Sequence, residues 1–168
     1  MFQTYEAPAA LQGSERLEML RQQLARLRID AVLVPRADAH QGEYVAPCAE
    51  RLLWLTGFSG SAGLAVVARR AAALFVDGRY VVQAPTQVDA RVFDILQVPE
   101  ARPSDWLFDK LAAGAAVGFD PWLHTAAAIE DLAKALQAKG IKLKALGANP
   151  VDRVWGRERP APPRGAVL

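Results

Sequence analysis

The 168-residue sequence has a single cysteine, Cys48, and only two histidines, His40 and His124. One cysteine closes no internal disulfide, so nothing in the covalent chemistry calls for an oxidising compartment. With the histidines far apart, no pair of ligand-type residues shows zinc-finger spacing. Charge of one sign is also scarce. Twenty basic residues stand against 18 acidic ones, a formal net charge of +2, too mild and too mixed to grip a nucleic-acid backbone. No window reaches the roughly 18 apolar residues of a membrane span, and the N-terminus lacks the basic segment and apolar run of a secretion leader. Aromatic residues are only 8% of the chain, but 52% hydrophobic and 23% charged side chains exclude disorder and low-complexity repeats. The expectation is one soluble domain in a reducing cytoplasm, with neither nucleic acid nor membrane as partner.

Apolar spacing gives an α/β alternation. Leu17, Leu20, Leu24 and Leu27 recur at three- and four-residue steps, which predicts a helix over 14–28, with Ser14 as N-cap and Arg16, Arg21 and Gln22 facing water. Residues 29–35 form a short apolar run ended by Pro35, as a strand buried on both faces would be. A polar loop over 36–49 leads into a helical turn over 50–56. Strands over 64–68 and 73–76 follow as a hairpin joined at Arg69 and Arg70, and a helix is expected from Asp77 to Gln87. Further on, strands read over 92–98, 116–119 and 141–146. Helices read over 104–111, capped by Ser104, over 125–139, closed by Gly140, and over 149–155. The sheet has about six strands. The boundaries expected are a lead-in over 1–13, a domain over 14–156, and a proline-rich linker over 157–168 toward a second domain that this sequence lacks.

Four features invite chemistry. Gly57 to Gly63 carries three glycines in seven residues, but a strand rather than a helix follows it, and the lysine of a phosphate loop is missing, so it reads as a structural turn. Asp38, His40 and Glu43 form the only compact polar cluster. A hard metal needs more oxygen ligands than one loop supplies, so a hydrogen-bond network ordering the loop is the plainer reading, with a substrate-side role or a subunit contact as alternatives. His124 and Cys48, the latter read as half-buried, are assigned no chemistry. Arg79 follows a buried strand, and the carboxyl ends of strands in such sheets face the ligand crevice. Its planar fork suits a carboxylate or a peptide carbonyl, and an ion pair with Asp77 is the competing structural role.

The motifs Asp38-Ala-His40-Gln-Gly-Glu43-Tyr44-Val-Ala-Pro47, Gly57-Phe-Ser-Gly-Ser-Ala-Gly63, Asp77-Gly-Arg79-Tyr80 with Gln83-Ala84, and Asn149-Pro-Val-Asp152-Arg-Val-Trp155 resemble, in order and spacing, the N-terminal domain of the aminopeptidase P family, Xaa-Pro aminopeptidases, in its three-domain cytosolic form. The resemblance runs from about Ser14 to Pro160. It departs at Gly42, where relatives often have Ser, and at Ser59, where they have Thr or Asp. It implies a single creatinase-type, ribonuclease H-like domain with a mixed six-stranded sheet flanked by helices. The parent enzyme it implies is a cytoplasmic metallopeptidase that removes the N-terminal residue from peptides with proline second. Two divalent ions, commonly manganese, sit in that enzyme's C-terminal catalytic domain, so this chain is expected to hold no metal or other cofactor and to be inactive alone. By position Arg79 is the substrate-binding residue, with Asp38, His40 and Glu43 facing the same cleft. The partners implied are the peptide, the other domains of the same chain and, in the assembled enzyme, a homodimer. A stand-alone peptide or small-molecule binding module, or an assembly domain of the same fold, is the alternative.

Overall fold

The computed structural model describes residues 9–164, so expectations about 1–8 and 165–168 lie outside the described residues. Six helices, α1 (Ala9–Leu27), α2 (Arg51–Thr56), α3 (Ala84–Gln87), α4 (Pro103–Lys110), α5 (Ala126–Leu136) and α6 (Pro150–Trp155), accompany six strands: β1 (Ala31–Pro35), β2 (Leu64–Ala68), β3 (Ala72–Val76), β4 (Asp94–Gln97), β5 (Ala116–Phe119) and β6 (Lys142–Ala145). The strands form one sheet in the order β4-β3-β2-β1-β5-β6. β2 pairs antiparallel with both β1 and β3, whereas β1–β5, β3–β4 and β5–β6 are parallel. Five strands therefore end at the same edge of the sheet, and only β2 begins there.

The alternation of side chains along a strand divides the core in two. Val32 and Val34 of β1, Ala65 and Val67 of β2 and Leu74 and Val76 of β3 pack with Leu17, Leu20 and Leu24 of α1, Leu52 and Leu55 of α2 and Val151 of α6. Ala31, Leu33, Val66, Phe75, Val117 and Phe119 point the other way, onto Trp106, Leu107 and Leu111 of α4 and Leu136 of α5. The expected apolar runs of β1 to β3 are thus apolar because both faces are covered.

Several local expectations are corrected. Ser14 is not an N-cap, because α1 starts at Ala9 and runs through Gly13. A helical glycine costs only about 1 kcal/mol relative to alanine, and Ala9, Ala10, Leu11 and Gln12 are good helix formers. Arg16 and Arg21 do not simply face water. Arg16 lies over the Trp54 ring at 4.6 Å and donates to Trp54 O at 2.6 Å, while Arg21 Nε donates to Ala68 O at 3.0 Å, so their stems lie along apolar surface. The helix expected from Asp77 to Gln87 is broken into a 3-10 turn over Gly78–Tyr80 and the separate α3. Pro85 is the reason: it has no N–H to offer the preceding turn, so it starts a helix and cannot sit inside one. By the same rule Pro103 opens α4 and Arg102, not Ser104, is its cap residue, without a side-chain bond. Cys48 is buried, not half-buried. The caps that form were not foreseen: Thr125 caps α5 and Asn149 caps α6, accepting from Ala128 N at 3.2 Å and Val151 N at 2.9 Å.

The glycine segment is structural, as read. Gly57 ends α2 at φ +82°, and a Cβ there would lie 2.7 Å from Gln87 O. A Cβ on Gly60 would lie 2.2 Å from Cζ of Phe58, whose ring is only 1% exposed. Gly60→Ala must therefore displace a core ring. It is expected to lower stability by about 1–3 kcal/mol, as overpacking does, read as a lower thermal midpoint. An unchanged midpoint would show that the ring moves freely.

Candidate functional site

The carboxyl-end edge of the sheet gathers the loop after β1, the glycine segment before β2 and the Asp77–Tyr80 turn after β3. Asp77 caps that turn. Its carboxylate accepts from Arg79 N at 3.0 Å and takes the Arg79 side chain in a two-point pair, Nε to Oδ1 at 3.0 Å and Nη2 to Oδ2 at 2.8 Å. These bonds, with the Arg79 side-chain bond the largest cause, hold the Asp77 carboxyl below its ordinary range, so it is ionised at neutral pH. The Arg79 side chain is 65% exposed, and its guanidinium carbon lies 5.0 Å from the centre of the Tyr80 ring. Arg79 is thus both partly exposed and engaged by Asp77, so the ion pair that competed with the binding role is formed.

Tyr80 joins this turn to the glycine segment. Its hydroxyl accepts from Ser61 N at 3.0 Å and is hydrogen-bonded to Ser61 Oγ, which draws the phenol's pKa down. Its ring stands edge-on to Phe58 at 5.3 Å. A second set of bonds links the glycine segment to α3: Gln87 Nε2 donates to Ser59 Oγ at 2.7 Å, Gln83 Nε2 to the same oxygen at 3.2 Å, and Ser59 N to Gln87 Oε1 at 3.1 Å. On the other side Arg36, directly after β1, donates from Nη1 to Ser61 O at 2.9 Å and to Glu43 O at 3.3 Å. Ser61 therefore ties together two loops that carry candidate residues.

Asp38, His40 and Glu43 do not converge into a side-chain cluster. Asp38 Oδ1 accepts from His40 N at 3.0 Å and Gly42 N at 3.1 Å, closing the loop on itself. Those backbone bonds, Gly42 foremost, hold its carboxyl below the ordinary range. Among the described residues the side chains of His40 and Glu43 make no hydrogen bond or ion pair, and no group of three His, Cys, Asp or Glu could hold a metal ion. His124, after β5, packs edge-on to Phe119 at 6.0 Å, and burial lowers its imidazole pKa. A hollow of about 620 Å³ lies at the opposite edge among Asp30, Arg69, Arg70 and Gly114, away from all of these residues.

Sequence reading missed Arg36 and Ser61. The signal for Arg36 was its place right after a buried strand, the same signal that picked out Arg79. Ser61 carried none, because its role depends on a tyrosine 19 positions away.

Comparison with known proteins follows the same outline. Residues 16–152 match the sequence model of the Creatinase/Prolidase N-terminal domain. The chain is 43% identical over 156 residues to a probable Xaa-Pro aminopeptidase P of Aspergillus niger, covering 92% of this chain and 25% of that protein. It is 43% identical over 160 residues to the corresponding Penicillium rubens protein, covering 94% and 26%. Among solved structures, the X-prolyl aminopeptidase of Caenorhabditis elegans, described as a cytosolic enzyme with a di-nuclear active site, superposes with a TM-score of 0.82 at 35% identity, over 89% of this chain and 26% of that one. The N-terminal domain of the cytoplasmic peptidase PepQ from Mycobacterium tuberculosis superposes with a TM-score of 0.63 at 27% identity, over 83% and 98%. The chain spans about a quarter of the length of the curated relatives named here.

Proposed function

The chain belongs to the creatinase/prolidase N-terminal domain family, and from that premise we propose that it is the non-catalytic N-terminal domain of an Xaa-Pro aminopeptidase, forming one wall of the cleft that holds a peptide with proline second. The observation that carries this reading is Arg79: a guanidinium presented at the carboxyl ends of the strands, 65% exposed, and held in place by Asp77 and Tyr80. The same edge holds Tyr44, Val82 and Trp122 out in water, at 87%, 82% and 74% exposure, each on a loop that follows a parallel strand. Large apolar side chains gathered on one edge fit a face that meets another surface, here the rest of the enzyme or its substrate. Asp38, His40 and Glu43 lie on the loop that Arg36 and Ser61 fasten to this edge, which supports a secondary contact.

The residues present do not fit a metal pair, since no three candidate ligands converge among the described residues. On this reading a pair of divalent ions such as manganese would supply Lewis-acid chemistry from the three quarters of the relatives that the chain does not match, and the domain's own part is to bind and orient. On this reading the domain body is 14–156 and 157–168 a linker, and α1 begins before that body, at Ala9. Among the described residues no helix is long and apolar enough to cross a membrane. A cytoplasmic setting is part of the proposal, supported by the cytosolic C. elegans relative.

The test is Arg79→Ala in the longer enzyme. The expected result is a fall in kcat/KM for an Xaa-Pro-Xaa peptide of about 10- to 100-fold, the effect of deleting one charge-assisted hydrogen bond, with metal content and thermal midpoint unchanged. A variant that melts earlier but whose folded fraction is fully active would make Arg79 a structural ion-pair residue instead.

A further inference from the structure

We propose, resting on the reading of Arg79 as a peptide-binding residue, that Asp77 decides what Arg79 accepts: the domain prefers a neutral backbone carbonyl of the peptide to a free carboxylate.

An arginine fork usually favours a carboxylate because charge attracts charge and two parallel N–H bonds fit two oxygens. Here that match is already made within the protein. Nε and Nη2 of Arg79 point at the two oxygens of Asp77, and the backbone N–H of Arg79 adds a third bond to the same carboxylate. The Tyr80 ring covers one face of the guanidinium, and Tyr80 is itself held by Ser61. What remains on offer is the far end of the fork, Nη1 and the second hydrogen on Nη2, with no partner among the described residues.

That end still belongs to a cation, but one whose charge is already paired with Asp77. An incoming carboxylate would meet a neutral pair: the repulsion of the Asp77 oxygens, one guanidinium width away, offsets much of its attraction to the guanidinium, and it gives up more hydration than a carbonyl does. A carbonyl oxygen takes the same hydrogens with no such repulsion. Asp77 cannot lower the penalty by accepting a proton at neutral pH, since its bonds keep it ionised. The consequence for substrate choice is that a peptide long enough to place a backbone carbonyl at Arg79 is used in preference to one that ends there in a free carboxylate. Asp77, which touches Arg79 and not the peptide, is therefore a specificity-setting positioning residue.

The experiment titrates the isotope-labelled 168-residue chain with Ala-Pro-Ala in two forms, free acid and C-terminal amide, following the Arg79 Nε–Hε signal and the Gly78 and Tyr80 amides by NMR. The wild-type chain is expected to respond to the amide at lower concentration than to the acid, by about threefold, the size of one exposed charge repulsion. Asp77→Asn keeps the side-chain size and a cap acceptor but removes the charge, so it should reverse the order; Asp77→Ser, a second cap residue, should do the same. Wild-type preference for the acid, equal response to both forms, or an acid-to-amide ratio unchanged in both variants overturns the assignment to Asp77 while leaving Arg79 as a peptide contact. Failure of either peptide to move the Arg79 signals in any of the three proteins overturns the peptide-binding reading of Arg79 itself.

Discussion

Replacing Asp152 by alanine is expected to destabilise the domain by about 3 kcal/mol, the low end of what breaking a buried ion pair costs. Arg51 opens α2 with its side chain only 10% exposed, and it donates to both oxygens of Asp152, Nε at 2.6 Å and Nη2 at 3.0 Å, across 101 positions of sequence. Arg159 Nη1 reaches the same carboxylate at 3.1 Å and Arg159 Nε donates to Cys48 O at 2.8 Å, so α2, α6 and the chain after Trp155 are drawn to one point. Removing Asp152 leaves the Arg51 charge in a place that water hardly reaches, and the cost is that of an uncompensated charge rather than of one lost contact. The low end of the range applies because Asp152 keeps 24% of its side chain in water. A urea unfolding curve gives the answer. Arg51→Met combined with Asp152→Leu should recover most of the loss, because apolar residues of similar volume leave no orphaned charge. If Asp152→Ala unfolds at the wild-type urea concentration, the pair is incidental.

That pair also marks the boundary of what the sequence could reveal. Asp152 stood out only as a member of the Asn149 to Trp155 motif, and Arg51 was not singled out at all; their meeting is a product of the sheet order, which brings α6 back beside α2. The same holds for the Trp54 and Trp155 rings, which stack at 5.5 Å. Features that depend on nearby residues were legible: the two-sided burial of β1, the hairpin of β2 and β3, and the left-handed Gly140 that closes the helix before β6. Local reading failed where a single proline set the start of a helix, at Pro85 and Pro103, and where helix-forming residues carried α1 past the serine that looked like its start. The position of Arg79 directly after a buried strand was legible, and its pair with Asp77 was a foreseen alternative. The Arg36–Ser61–Tyr80 connection was not, since each member lies on a different loop.

Leu24→Ala is the other substitution with a large expected effect, about 2–5 kcal/mol. Leu24 is completely buried, and it sits in the cluster where Leu17 and Leu20 of the same helix meet Val32 and Val34 of β1 and Leu52 and Leu55 of α2. Truncation removes three carbons and leaves a hole that the surrounding elements cannot close. β1 is fixed by ladders to β2 and β5, and α1 is held by the bonds of Arg16 to Trp54 and of Arg21 to Ala68. Alanine is the better helix former, so α1 itself gains slightly and the whole loss is one of packing. Met19 supplies the control on the same helix. Its side chain is 44% exposed, so Met19→Ala should change stability by no more than about 0.5 kcal/mol, the usual range for surface positions. Chemical denaturation of both variants separates the two readings of α1. A large shift for Leu24→Ala beside a negligible one for Met19→Ala places the leucine stripe in the core, and equal small shifts would mean that the helix is only loosely laid on the sheet.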